Sequence, residues 1–229
     1  MVVHLNADDG VEHRASFSDQ VARIVREAIL SGNYAPGIQL NEVTLSKLFQ
    51  ISRSPIREGL RKLADEGLIV LHPRRGAFVA SFNMDEIQEL MEFRQALDVT
   101  AAGLASQRAT NEEIDELAAA MEAADFAHKE SPGASPKWES DFHILILRAA
   151  GNSRILARGI EVHTQLHLVR FRSGAEASIG SDVHNEHQLI LDGLKAQDSR
   201  AAEAAMREHL QQAGKRIKEV VRKTVSLAP

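Results

Sequence analysis

The sequence predicts a mainly α protein in two parts: three short helices and a β-hairpin at the N-terminal end, then an all-α helical bundle. Three observations carry this. A chain of 229 residues suits one large domain or two modest ones. Pro and Gly gather in the front half, at Gly32, Pro36-Gly37, Pro55, Gly67, Pro73 and Gly76, and after Ser81 the pattern becomes long, Ala-rich and helical. Charge divides at the same place: residues 16–80 hold nine Lys/Arg against six Asp/Glu, net +3, while 81–229 hold 17 against 23, net −6. Residues 1–15, net −2, read as a flexible tail, giving the division 1–15, 16–80 and 81–229.

In the front module, Val21, Ile24, Val25, Ala28 and Ile29 fall at helical spacing, with Ser18 as N-cap and Gly32 as the stop. Ala35-Pro36-Gly37 turns the chain into a short helix around Glu42 to Phe49, expected to bury Leu45 and Leu48. Ser52-Arg53-Ser54-Pro55 opens a third helix, where Pro suits the first turn because its missing N–H would have no partner there. That helix buries Ile56, Leu60 and Leu63 and stops at Gly67. Ile69-Val-Leu71 and Ala77-Phe-Val79 read as strands joined by His72-Pro-Arg-Arg-Gly76. Three helices and a hairpin in this length make a winged helix-turn-helix. Behind it, helices are expected at 84–108, 112–129, 137–150, 153–172, 182–196 and 199–224, a bundle whose core can line a pocket.

Composition narrows the function. The net charge of −5 argues against a uniformly basic nucleic-acid binder. With no Cys, disulfides, thiolate metal sites and cysteine nucleophiles are excluded together, and ten His make imidazole the candidate for metal or acid–base chemistry. The longest apolar runs, such as Ile144-Leu-Ile-Leu147, are too short to span a bilayer, and Met1 to Ala15 hold no apolar stretch of a signal peptide. A soluble cytoplasmic protein without membrane partners is the expectation.

Ser52, Arg53, Ser54 and Arg57 sit at the start of the third helix, the end that enters the major groove in a helix-turn-helix. Arg pairs bidentately with guanine O6 and N7, and Ser hydroxyls reach phosphates or base edges. Arg61 and Lys62, further along, suit backbone contacts. Arg74 and Arg75 at the hairpin tip would reach phosphates or the minor groove, with Gly76 letting the backbone come close. Singly, each is an ordinary surface charge or turn residue; jointly placed, they point to DNA.

The same stretch resembles the winged-helix domain of GntR-family transcriptional regulators. Pro36-Gly37 and Leu40-Asn41-Glu42 match the opening of the family pattern. Ser52-Arg53-Ser54-Pro55-Ile56-Arg57-Glu58-Gly59-Leu60 matches its centre, Glu66-Gly67-Leu68 follows, and Arg75-Gly-Ala-Phe-Val79 closes it. Gln50-Ile51 replaces the frequent Gly-Val, and Gly59 stands where Ala is usual, weakening a helix interior by about 1 kcal/mol. The resemblance implies a homodimer on an inverted-repeat, double-stranded DNA operator.

In the bundle, the inward polar residues are the informative ones. Arg94 interrupts the apolar stripe of Ile87, Leu90, Met91, Leu97 and Ala101. His187 shares a face with Ile190, Leu191 and Leu194; His209 with Ala202, Met206 and Leu210; His143 with Ile146 and Ala150, and Glu139 stands four residues before it. Buried polar groups need partners, so each His alone reads as a satisfied core residue. Three on separate helices, one with a carboxylate at i−4, point instead to a shared divalent metal, Zn first, with Ni, Mn or Fe also suited to these donors. Asp141, about 200° around the helix from His143, ranks behind Glu139. His163, His167 and Arg170 form a row that either lines the pocket or, as the preferred reading, makes a partly exposed polar face, and His184 is expected at the surface.

This half is similar to the FCD ligand-binding domain of the FadR-like branch. The matches are Glu92-Phe-Arg-Gln-Ala-Leu97, Phe142-His143 with Gly151-Asn152, Glu186-His187 with Ile190, and Met206 with His209-Leu210. The resemblance implies a metal held by an Asp and three His, with Glu139 at the Asp position and His143, His187 and His209 at the His positions. It also implies that Arg94 contacts an acidic effector, a small organic or sugar acid. The functional expectation is a DNA-binding regulator, a repressor released by that acid. The alternatives are a metal-sensing regulator and a metal-dependent enzyme with Glu139 or Asp141 as base, against which no His-Glu-x-x-His motif appears.

Overall fold

A computed structural model describes residues 16–130, 141–173 and 181–226. The first helix, α1 (Phe17–Leu30), is capped by Ser16 rather than Ser18: the Ser16 hydroxyl accepts from the Asp19 N–H at 3.2 Å, and the Asp19 carboxylate accepts from the Ser16 N–H at 3.2 Å. That reciprocal capping box starts the helix earlier and leaves Ser18 buried inside it. Asn41 caps α2 (Glu42–Phe49), accepting from the Val43 and Thr44 amides, and Gln50 ends it with φ 55°. Leu45 is buried as expected, but Leu48 is 64% exposed, because α2 turns only one face to the core. α3 (Arg53–Asp65) follows.

β2 (Ile69–His72) and β3 (Gly76–Val79) pair antiparallel with Ile69 opposite Val79, and β1 (Gln39–Leu40) adds a third strand on the far side of β3. The two-residue β1 is too short for an alternating pattern to show in sequence. Val21, Val25, Ile29, Leu45, Ile56, Leu60, Leu63, Leu68 and Val79 form the core. Gly59 is where α1 and α3 touch: a Cβ there would lie 2.8 Å from Val21 Cγ1 and 2.9 Å from the Ser18 carbonyl oxygen. The lost helix propensity is thus the cost of a close helix crossing.

The second half comprises α4 (Met84–Arg108), α5 (Asn111–Glu130), α6 (Phe142–Ala149), α7 (Ser153–Ser173), α8 (Ser181–Lys195) and α9 (Ser199–Ser226). α4, opened by an Asn83–Glu86 capping box, packs against α6, α7, α8 and α9, and so lies at the centre of the bundle. α6 departs from the expected 137–150: Asp141, with φ −64° and ψ 129°, is its N-cap and accepts from the His143 N–H at 2.9 Å. An aspartate at that position satisfies an orphan amide and so fixes where the helix begins.

α7 reaches both halves. Val162, Leu166 and Val169 pack with Ile87 and Met91 of α4, while Leu168 joins the core of the N-terminal module. Gln165 Nε2 donates to the Glu66 carbonyl oxygen at 3.4 Å, at the C-terminal end of α3.

Candidate functional site

Helices α6, α8 and α9 bring His143, His187 and His209 together, with one ligand nitrogen of each within 4.8 Å of the others. His143 and His209 are buried, and their Nε2 atoms face one another at 3.0 Å. His187 stacks on Phe142, ring centroids 4.5 Å apart, and its rim lies against both other imidazoles. Burial holds all three as neutral rings: His143 titrates well below the ordinary histidine value, His187 at about 3, and His209 below its usual value despite the Glu186 hydrogen bond. Neutral imidazole is the form that ligates a metal.

The outer partners orient these rings. Glu186 Oε2 accepts from His209 Nδ1 at 2.7 Å, which turns the lone pair of Nε2 toward the cluster. Arg216 clamps the same carboxylate through Nη1 and Nη2 at 2.8 and 2.7 Å. Burial pushes the Glu186 carboxyl up, but Arg216 and His209 outweigh it and hold it at about 2.

On α4, Arg94 and Asp98 are 2% and 1% exposed, with Arg94 Nε donating to Asp98 Oδ2 at 3.0 Å. Asp98 also takes His163 Nε2 at 3.1 and 3.0 Å on its two oxygens, and lies 3.6 Å from His143 Nδ1, too far for a hydrogen bond. Burial raises the Asp98 carboxyl, yet His163 and Arg94 pull it below the ordinary aspartate value. Among the described residues, Arg94 Nη2, His143 Nδ1 and His187 Nε2 are shielded from solvent without a hydrogen-bond partner. Buried donors and acceptors are normally satisfied, so these unspent groups fit a missing polar ligand. The donor set, neutral nitrogens backed by an outer carboxylate, could hold a divalent metal ion.

The sequence reading is amended in three places. Glu139 lies outside the described residues, and Asp141, whose backbone is not helical, is not placed relative to His143 by a helical angle. Asp141 acts as the α6 cap, and its charge favours the protonated form of His187. His163 is buried at 2% exposure rather than on a polar face, because α7 is covered by α4 on this side; His184 is part-buried. Asp98 is missed, though its spacing of four from Arg94 on an apolar stripe marks it, and Glu186 enters only as part of the Glu186-His187 match, without its role.

In the N-terminal module, Ser52, Arg53, Ser54 and Arg57 are all exposed on one end of α3. Ser52 caps the helix without a side-chain hydrogen bond. Arg57 is bound by Glu42 of α2, and Lys62 by Asp19 and Ser18 of α1. At the hairpin tip, Arg74 (φ 63°) and Gly76 (φ 96°) make the turn, and Arg75 lies over the Phe78 ring at 5.5 Å while its carbonyl accepts from Gln39 at 2.6 Å. Among the described residues no helix is long and apolar enough to cross a membrane.

A winged helix with exposed arginines at the start of its third helix, followed by an all-helical bundle, defines the class of DNA-binding transcription regulators. Residues 17–79 match the bacterial regulatory proteins of the gntR family, and residues 89–212 match the FCD domain. The chain belongs to the GntR family, in its FadR-like branch with a C-terminal FCD domain. It is 27% identical over 204 residues to the HTH-type transcriptional repressor RspR of Escherichia coli (strain K12), covering 89% of this chain and 90% of that one. The Nta operon transcriptional regulator of Aminobacter aminovorans is 26% identical over 197 residues, covering 86% and 92%. In fold, it is similar to E. coli McbR/YncC, with TM-score 0.74 at 19% identity over 92% of this chain and 100% of the other. A putative GntR regulator from Rhodococcus sp. RHA1 gives TM-score 0.72 at 23% identity over 88% and 97%. The family and these relatives are transcriptional regulators, which sets the enzyme alternative aside.

Proposed function

We propose that this regulator is a repressor whose hold on DNA is released by a small organic or sugar acid bound at a metal site in the bundle. In this reading, residues 16–80 form the DNA-binding domain and 81–229 the effector and dimerisation domain of a cytoplasmic homodimer on an inverted-repeat operator. Ser52, Arg53, Ser54 and Arg57 read the major groove, and Arg74, Arg75 and Gly76 meet the flanking backbone or minor groove. The observation that carries the effector site is the buried imidazole cluster, with His143 Nδ1 and His187 Nε2 unpartnered, together with a buried Arg94 whose charge acts on all three rings and whose Nη2 is also unpartnered.

His143, His187 and His209 would hold the ion, with Glu139 or Asp141 as the added carboxylate. A divalent ion supplies a Lewis-acidic centre that accepts an anionic oxygen. Asp98 fixes Arg94 through Nε and leaves Nη2 for the acid. The same carboxylate binds His163 of α7, whose Gln165 and Leu168 lie on the DNA-reading module, so α7 is the proposed route between the two sites. Release requires the acid to bind the DNA-incompetent arrangement more tightly than the competent one.

The test is a thermal-shift screen of organic and sugar acids with and without zinc, since a true effector stabilises by mass action. An acid that raises the melting temperature only in the zinc-loaded wild type supports the site; equal shifts after His187→Ala and His209→Ala contradict it. Zinc alone controlling DNA affinity would favour the metal-sensing alternative.

A further inference from the structure

Arg57 and Glu42 form a two-point ion pair between helices α3 and α2. Arg57 Nε donates to Glu42 Oε1 at 3.2 Å and Nη2 donates to Oε2 at 2.9 Å. These two bonds occupy the side edge of the guanidinium. The end edge, with one Nη1 hydrogen and the second Nη2 hydrogen, has no partner among the described residues, and the Arg57 side chain is 56% exposed. An end edge presents two parallel N–H donors, the match for guanine O6 and N7. Arg53, one turn earlier, has no hydrogen-bond partner among the described residues and so no such constraint.

Both ends of the pair stand on rigid supports. Glu42 is the first residue of α2, pinned by the Asn41 cap and by buried Leu45; Arg57 follows buried Ile56 on α3, in the same core. An exposed ion pair contributes little to folding stability, so holding the fold together is a weak reason for this geometry. A side chain already fixed in one rotamer gives up less freedom on docking and presents its donors at one angle. Arg53 and Arg61 also face the Glu42 carboxylate electrostatically, so this acid stands inside an otherwise basic reading face.

We propose that Glu42 is a specificity-determining residue for DNA: it holds Arg57 by its side edge and turns the end edge toward one guanine in each half-site. This rests on the reading of α3 as the recognition helix. Glu42 does not itself touch the base; it acts through Arg57.

The experiment is selection of bound sequences from a random duplex library by the full chain, for wild type, R53A, R57A, E42Q and E42A, followed by affinity measurements on the selected duplex and its single-base-pair variants. Wild type should favour one G·C pair per half-site by roughly 10- to 100-fold, the worth of one bidentate pair, and R57A should erase that preference. E42A should reduce it by about tenfold at that position alone, with E42Q, which keeps an acceptor oxygen, in between. A general loss of negative charge changes affinity for every sequence, so only the single-position ratio reports positioning. The proposal is overturned if E42A leaves that ratio unchanged, or if consensus affinity rises with the preference intact, the mark of a carboxylate that merely masks Arg57. It is also overturned, with α3 still the reader, if the consensus depends on Arg53 and not on Arg57. A wild type that selects no consensus overturns the recognition-helix reading and this inference together. If E42A does not fold, as judged by circular dichroism, E42Q decides the outcome.

Discussion

Arg57–Glu42 and Arg94–Asp98 are the same chemical pair in opposite surroundings. The first is 56% and 31% exposed on the proposed DNA-reading face; the second is 2% and 1% exposed in the bundle. In water, the pair is worth roughly 0–1 kcal/mol and can be reoriented by a partner at little cost. Inside, each charge carries a desolvation penalty of several kcal/mol that the other only partly offsets, so a buried pair is weak evidence of a stabilising role. The buried arginine also leaves Nη2 unpartnered, and its charge acts on all three imidazoles of the cluster. The two regions therefore hold their polar groups differently: one on a surface open to solvent, the other inside the bundle core.

Substitutions sharpen that contrast. Asp98→Ala strands Arg94 and His163 in the interior and should cost on the order of 3–5 kcal/mol in urea unfolding, whereas Glu42→Ala should cost less than about 1 kcal/mol. Equal costs would erase the distinction. Gly59→Ala tests a steric rather than electrostatic constraint: a Cβ 2.8 Å from Val21 and 2.9 Å from the Ser18 carbonyl must shift α1 against α3, at about 1–3 kcal/mol by thermal melting. A gain in stability would show that helix propensity outweighs the crossing. Glu186→Gln leaves the cluster in place but weakens the acceptor on His209, so zinc affinity in competition with a chelator should fall by roughly 10- to 100-fold. Unchanged affinity would mean that Glu186 serves only Arg216.

The buried region alone should respond to mild acid. His143, His187 and His209 titrate below their unfolded values, so between about pH 6.5 and the folded pKa the unfolded chain binds protons that the folded chain refuses. In chelator-treated protein, stability should therefore be level above the unfolded histidine value and fall as pH drops below it, with His187 contributing down to about 3. His187→Phe should flatten part of that slope. A stability that rises on acidification would contradict the neutral cluster.

Much of this was legible in the chain because local rules act over a few residues. The α4 limits follow from an Asn83 cap and sustained periodicity, and the Ser-Arg-x-Pro run marks the start of α3. His143, His187 and His209 could be placed inward because helix periodicity reports a face. It does not report who faces whom: Asp98 and His163 are 65 residues apart, Glu186 and Arg216 are 30 apart, and those partnerships depend on how the helices cross. The same limit explains Leu48, apolar and correctly spaced yet 64% exposed, while the α6 start is set by the capping Asp141.

The most direct measurement of the central claim is anisotropy binding of the full chain to its selected duplex, with zinc and the acid that gave the largest thermal shift, in wild type and in the His187→Ala, His209→Ala double variant. The account predicts that the acid weakens DNA binding by wild type at least tenfold and has no effect on the variant, whose affinity for the duplex is otherwise retained. A DNA affinity indifferent to the bound acid, or an equal response in the variant, would contradict it.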